Sequence, residues 1–368
     1  MTVNPIIIQL ALILLKVVCL LVIIAYYTIA ERKIMASIQR RRGPNVVGFW
    51  GLLQPVADGL KLVAKEIVIP SHSNSRIFVL APIVILTLGL VSWSILPFGC
   101  FDYSETANTP EVLNVLCSSE PKYPQENEVF NILLEINHMS DIRYSLLIIL
   151  AISSLSVYAL IIAGWSSNSK YAFLGALRSA AQIISYEVSI SLVILPVIFL
   201  AGSLNFTEIV LSQRLTVLYV LPLLPLAIIF FIASLAETNR TPFDLPEAEA
   251  ELVAGYNIEY SSIIFAMFFL GEYGNITLMS VINSDIFFGG WAGAIFDSLS
   301  AFVVSVKAVI IAASFVLVRA TFPRYRYDQL MNIGWKIFLP VATGLIVTAI
   351  GVVIAFSALP VVHELFIY

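Results

Sequence analysis

IIIQLALILLKVVCLLVIIAYYTI (residues 6–29) is the stretch from which the fold can be read: 24 residues with one charge, Lys16, and no proline or glycine. A helix rises 1.5 Å per residue, so about 20 such residues cross the roughly 30 Å of hydrocarbon in a bilayer. The run is too long for a signal-peptide core and has no small-residue cleavage site after it, so it is expected to be a membrane span. Nothing near it resembles an Arg-rich, Ser-rich transit peptide.

Seven further segments have the same character: Ile77–Pro97, Tyr144–Gly164, Ala180–Ala201, Leu215–Ala236, Tyr260–Ile282, Leu299–Val318 and Trp335–Phe356. Composition agrees, with 59% hydrophobic residues, 12% charged and a mean hydropathy of +0.93 over 368 residues. The expected fold is all-α: a polytopic integral membrane protein of about eight transmembrane helices forming a single membrane domain over residues 1–368. Eight Lys or Arg residues lie in the loop after the first span, whereas only Lys122, Arg143 and Arg214 follow spans 2, 4 and 6. The positive-inside rule then places both termini outside. No internal repeat of the transporter kind is visible.

Composition also excludes classes. A net charge of -4, with no basic face interleaved with aromatics, excludes nucleic acid as a partner. Cys19, Cys100 and Cys117 lack any Cys-x-x-Cys spacing, and Cys19 is expected to pack as a small hydrophobe. His72, His138 and His363 lie outside the apolar runs, so no haem ligand pair and no metal site is expected, and no cofactor bound by this chain alone.

Three loops stand out. The inward loop 31–76 begins Glu31-Arg32-Lys33 and ends in an amphipathic stretch in which Leu53, Val56, Ala57, Leu60 and Ala64 alternate at helical spacing with Gln54, Asp58, Lys61 and Lys65. Such a helix lies in the interface plane. Its basic residues either set topology and hold anionic lipid, or the helix roofs a cavity for an amphipathic ligand with a polar head. The outward insert 98–143 carries eight acidic residues against two basic ones; its proline and asparagine content suits an irregular surface segment that packs on a neighbour or is solvated. The inward loop 237–259 crowds Glu237, Asp244, Glu247, Glu249, Glu251 and Glu259 around one Arg240. Mutual repulsion near low-dielectric protein should raise some of their pKa values, as a proton relay requires; an acidic patch docking a basic subunit is the alternative. Within spans lie Lys16, Glu187, Glu272 and Lys307, each costing at least about 2.5 kcal/mol at a helix centre on insertion scales, so they mark a proton or ion path or neutralise one another.

Four blocks carry a family resemblance: ERKIMASIQRRRGPNVVGFWGLLQPVADGLKLVAKE (31–66), GWSSNSKYAFLGALRSAAQIISYEV (164–188), AETNRTPFDLPEAEAELVAGYNIEY (236–260) with FFLGEY (268–273), and RATFPRYRYDQLMNIGWKIFLP (319–340). The chain resembles subunit 1 of NADH:ubiquinone oxidoreductase (respiratory complex I), the homologue of the bacterial H subunit. The insert 98–143 departs from that family's usual short connection.

The resemblance implies an enzyme subunit with no complete active site of its own, and a chamber for ubiquinone as substrate, entered from the membrane. Iron-sulphur clusters and FMN would reside in partner subunits at the peripheral-arm junction, and membrane lipids and other complex I subunits would be its neighbours. By likeness, Arg32, Gln39, Arg41, Asp58, Arg240, Phe268, Phe269 and Arg319 would line or shape the chamber. Glu187, Glu237, Asp244, Glu247, Glu249, Glu251, Glu259, Glu272 and Tyr273 would carry protons away from it, with Glu187, Tyr186 or water between Glu259 and Glu272. The location implied is the mitochondrial inner membrane, or alternatively a bacterial plasma membrane. The homologous anchor of a membrane-bound hydrogenase and a stand-alone ion transporter are the competing readings. For the insert, replacing Pro110–Glu128 by a short Gly-Ser linker should reduce assembly, read on native gels, while turnover per assembled complex stays unchanged.

Overall fold

A computed structural model describes residues 5–97, 142–244, 255–291 and 300–355. Among these there is no strand. The helices are α1 (Pro5–Ile38), α2 (Gln54–Ala64), α3 (Ser75–Ile95), α4 (Ser145–Ser166), α5 (Lys170–Ala201), α6 (Phe206–Leu215), α7 (Leu224–Glu237), α8 (Ser262–Phe287), α9 (Ser300–Thr321), α10 (Tyr327–Asn332) and α11 (Leu339–Ala355). A π-helical turn, Ile333–Phe338, fuses α10 to α11, and single 3-10 turns stand at Phe49–Gly51 and Gly255–Asn257.

Among the described residues seven helices are long and apolar enough to cross a membrane: α1, α3, α4, α5, α8, α9 and the continuous α10–α11 unit. The expected fifth span is different. Between α6 and α7 the helix is broken, because Pro222 and Pro225 cannot continue a helical ladder. What remains, α7, has 14 residues, about 21 Å at 1.5 Å per residue. Its preceding segment is largely exposed, with Tyr219 and Leu223 turned inward, and its backbone is tied to α6 and α8. The Gln213 side chain accepts from Tyr219 N and donates to the Asp285 and Ile286 carbonyls at 2.9 and 3.0 Å, while Val220 N donates to Phe287 O. Irregular backbone at such depth is tolerated only where protein supplies these partners.

Two other boundaries move. Helix α1 runs past the expected end at Ile29 to Ile38, so Glu31, Arg32 and Lys33 belong to a helix and not to a loop. Helix α5 starts at Lys170, with Ser169 capping it by accepting from Ala172 N, and closes on Gly202 in the left-handed conformation. The amphipathic helix forms as α2, and its apolar residues Leu53, Val56, Leu60 and Val63 stay exposed. Cys19 is also exposed on α1, so it faces outward where internal packing was expected. The insert 98–141 and the acids Glu247, Glu249 and Glu251 lie outside the described residues.

Helix α5 is the hub, packing against α4, α7, α11 and the turn 255–257; α8 packs against α3 and α9. The buried face of α5 near its start is Ala172, Gly175, Ala176, Ser179 and Ala180, and its exposed positions are large: Phe173, Leu174, Leu177 and Ile184. That inversion of the soluble pattern has a cause. Lipid is as apolar as leucine, so helices associate through close backbone approach and not through burial of bulk. At Gly175 an added Cβ would stand 2.8 Å from Gly255 Cα and 3.1 Å from Tyr256 N, so the missing side chain is what lets α5 touch the turn 255–257. Gly175→Ala should therefore cost about 1–3 kcal/mol by overpacking, and Gly344→Ala, where a methyl meets open space, within about 0.5 kcal/mol of none. Thermal unfolding of the assembled, detergent-solubilised complex would show the difference.

Candidate functional site: a buried charge network beside a polar cavity

Helix α1 presents Ile24, Tyr27 and Glu31 at successive turns of one face, and that face turns inward. Glu31 is 4% exposed. A carboxylate so buried is tolerable only when charged or polar partners satisfy it. Tyr273 of α8 donates its hydroxyl to Glu31 Oε2 at 2.5 Å, and Arg319, in the last turn of α9, donates to Oε1 and pairs with it. Three helices thus meet on one side chain.

The group extends from Tyr273. The Arg240 guanidinium lies 4.4 Å from the centroid of its ring, a cation–π arrangement, and its Nη2 is 3.8 Å from Glu272 Oε2. Glu272 and Tyr273 are neighbours on α8, so their side chains leave the helix about 100° apart; Arg240 touches both. Tyr256, from the turn 255–257, donates its hydroxyl to the other oxygen of Glu272. Tyr27 stands edge-on to Tyr273 at 5.8 Å, and Phe269 lies 4.5 Å from it.

On the far side of Glu272 is a cavity of about 70 Å³ between α3, α4, α5, α8 and the end of α7. Its polar lining comes from Ser153, Ser156, Glu237, Thr238, Asn239, Tyr256, Glu272 and Asn275. One water needs about 10–15 Å³ by such a measure, so the cavity has room for several. Glu237 is buried at its wall, and its Oε2 has no hydrogen-bond partner among the described residues. Ser153 also donates to Glu187 Oε1 at 2.9 Å, beside Ser154 at 2.6 Å. Glu187 on α5 is thereby joined to the cavity wall through one serine.

The remaining expected residues divide by position. Arg32 and Asp58 form an exposed ion pair at 2.9 Å, with Gln54 donating to the other Asp58 oxygen; this pins α2 to the end of α1. Gln39 and Arg41 are exposed just beyond α1. Phe268 is buried edge-on against Tyr256 and Tyr260, behind the network. Asp244 is buried and pairs with Arg324 at 3.4 Å, away from Glu272. Glu259 is half-buried in the turn before α8.

One expectation about connections needs correction. Tyr186 does not stand between Glu259 and Glu272, because its hydroxyl donates to Leu330 O at 3.0 Å; Tyr256 is the hydroxyl that reaches Glu272. The intramembrane charges take partners that the sequence did not suggest: Lys307 donates to the carbonyls of Phe288 and Gly290 at 2.8 and 2.6 Å and attracts the buried Asp285, Glu272 lies 3.8 Å from Arg240, and Glu187 takes serine hydroxyls. Sequence reasoning passed over Glu31, Tyr27, Tyr256, Ser153 and Gln182 as site residues. The signal for Glu31 was available in its i, i+4 spacing from Tyr27. For the others nothing local distinguishes them from packing residues.

A family profile described as NADH dehydrogenase matches residues 10–350. The NADH-ubiquinone oxidoreductase chain 1 of Chondrus crispus is 51% identical over 347 residues, 93% of this chain and 95% of that one. The protein of the same description from Arabidopsis thaliana is 48% identical, again over 93% and 95%. The H subunit of the NADH-quinone oxidoreductase of Rhodospirillum rubrum is 46% identical over 92% of this chain and 91% of its own. With the helical membrane architecture and a charge network drawn from the same quoted blocks, this places the chain in the NADH dehydrogenase family, among the chain 1 and bacterial H subunit proteins of NADH:quinone oxidoreductase.

Proposed function

We propose that this chain shapes the ubiquinone chamber of complex I and passes protons between quinone chemistry and the membrane arm through the network centred on Glu31, Tyr273, Arg240 and Glu272. The observation that carries the reading is continuity. Arg319, Glu31, Tyr273, Arg240, Glu272 and Tyr256 touch in sequence and end at a water-sized cavity that also holds Glu237 and, through Ser153, reaches Glu187.

The chemistry fits. Reducing a quinone to a quinol adds two electrons and two protons, so negative charge develops on the headgroup oxygens. Arg32, Arg41, Arg240 and Arg319 supply cations on that side, with Gln39 and Asp58 as polar neighbours, Phe269 as an aromatic wall and Phe268 shaping the chamber from behind; preorganised charge of this kind stabilises developing anions. A carboxylate that changes protonation state needs a route for the proton, which hydroxyls and waters in contact provide. Glu187, Glu237, Glu272 and Tyr273 are the described members of that route. Asp244, Glu247, Glu249, Glu251 and Glu259 extend it in the proposal.

Electrons would arrive from an iron-sulphur cluster in a partner subunit and, before it, from FMN; this chain itself holds neither. Other complex I subunits at the peripheral-arm junction and membrane lipids around α1 and α11 are its proposed neighbours. The membrane is taken as the mitochondrial inner membrane, with a bacterial plasma membrane as the alternative. The relatives' descriptions give no support to the hydrogenase-anchor or transporter readings.

Two outcomes test this. Glu187→Gln and Glu272→Gln keep size and hydrogen bonding and remove the titratable group, so assembled complexes should lose NADH:quinone turnover by about tenfold or more, at the low end of what proton-transfer groups contribute. Aspartate at either position should retain part of the activity. Turnover and proton translocation are measured together in sealed vesicles; full turnover with an unchanged proton-to-electron ratio in the glutamine variants would return both acids to a structural role. Separately, Arg41→Ala or Asp58→Ala should weaken quinone reduction several-fold while electron transfer from NADH to a hydrophilic acceptor stays intact, as Asp58→Ala also releases α2 from Arg32. Unchanged quinone kinetics would remove these residues from the chamber.

A further inference from the structure

Arg240 reaches Tyr273 and Glu272 from a turn, residues 238–244, that has no regular structure of its own. A guanidinium on a loose turn would not hold a ring contact at 4.4 Å, so something must fix the turn. One side is fixed by the segment after α9: Tyr325 N donates to Pro242 O at 3.1 Å, Tyr325 stacks on Phe243 at 5.7 Å, and Arg324 pairs with Asp244. On the opposite side two side chains of α5 meet the turn, Tyr186 with its ring 5.8 Å from that of Phe243 and Gln182 through hydrogen bonds. Gln182, fully buried, donates from Nε2 to Ala236 O at 2.7 Å and to Phe243 O at 2.8 Å.

These two carbonyls bracket the turn. Ala236 belongs to the last turn of α7, and its carbonyl also accepts from Asn239 N at 3.3 Å while Arg240 N reaches Leu235 O at 3.4 Å, so the backbone closes the helix end and Gln182 joins that end to Phe243; Phe243 is where the chain leaves the turn, its own N–H donating to Arg240 O at 2.8 Å. Both acceptors therefore converge on one nitrogen, with Glu237, Asn239 and Arg240 in the loop between them. The primary amide is the neutral side chain that offers two donors from one atom. A carboxylate there would repel both carbonyls, and an aliphatic residue would leave them short of a donor. Because both neighbours are carbonyls, the nitrogen and not the oxygen must face them. Gln182 Oε1 then has no hydrogen-bond partner among the described residues, and a buried orphan acceptor is a cost. The amide is held for its donors.

We infer that Gln182 is a positioning residue: it ties the end of α7 to the exit of the turn and so sets Arg240 against Tyr273 and Glu272. The inference rests on the proposed function for its kinetic consequence, and on geometry alone for its structural one. Gln182→Met keeps length and removes both donors. In the assembled complex, kcat/KM for a short-chain ubiquinone analogue should fall about tenfold, with NADH oxidation by a hydrophilic acceptor unchanged. Combined with Arg240→Lys, the double variant should be no worse than Arg240→Lys alone, since Gln182 acts through Arg240; residues acting as one unit are non-additive in this way. Full activity in Gln182→Met, or losses that multiply independently, would overturn the inference. If Arg240→Lys itself leaves quinone kinetics untouched, the chamber assignment of Arg240 fails, and the positioning claim is then read from structure: a cryo-EM map of the Gln182→Met complex should show Arg240 withdrawn from the Tyr273 ring. An unmoved Arg240 would refute it whatever the kinetics. Should the methionine variant not assemble, Gln182→Glu, equal in size and without a paired donor, takes its place in both measurements, and wild-type position and kinetics in it would be equally decisive against the inference.

Discussion

A carboxylate held between membrane helices has to be compensated where it stands, and the burial of Glu31 is the constraint on which the arrangement around it depends. Water cannot reach it in quantity, and an isolated ionised carboxylate in such a place would cost several kcal/mol. Its two oxygens are met by Tyr273 and Arg319, which sets the relative rotation of α1, α8 and α9. Once Tyr273 is fixed, its ring face is available to Arg240, and Arg240 in turn stands beside Glu272. Each step satisfies a polar group that burial inside the protein would otherwise penalise.

The same constraint explains the shape of the neighbouring cavity. Small residues on α5 and glycines at Gly164, Gly175 and Gly271 bring helix backbones close, while Ser153, Ser156 and Asn275 place polar groups in the wall of a mainly apolar gap. The space left has room for several water molecules, which the proposed proton route would use. The irregular segments lean on side-chain amides: Gln213 accepts from Tyr219 N in the stretch before α7 while donating to carbonyls at the end of α8, and Gln182 donates to Ala236 O and Phe243 O at the two ends of the turn 238–244.

At the outer edge the rules relax. Asp58 and Arg32 pair while partly exposed, and α2 shows its apolar residues on the surface of the isolated chain. Exposed ion pairs contribute little stability, a median of about 0–1 kcal/mol, so this region is held less by its own contacts than the network beneath it. Such loose attachment would suit the proposed chamber, which must admit a bulky amphipathic substrate and release it.

Hydrophobic run length by itself determined that the chain is a bundle of membrane helices, because the thickness of hydrocarbon translates directly into residues per helix. Charge in the wrong place singled out Glu187, Glu272, Arg240 and the acidic loop as candidates, since ionisable groups near lipid are costly. Helix ends were less legible. The apolar run stops at Ile29 but α1 continues to Ile38, as a helix needs no apolar residues once it leaves the bilayer, and Pro222 with Pro225 broke what hydropathy alone reads as continuous. Only the tertiary structure decided which side chains meet. Tyr256 and not Tyr186 reaches Glu272, Asp244 turns to Arg324, and Ser153 links Glu187 to the cavity. Those pairings join residues far apart in the chain, and a tyrosine, serine or glutamine carries no local mark of the partner it will meet; the rotation and depth of each helix, set by packing against its neighbours, assign it one.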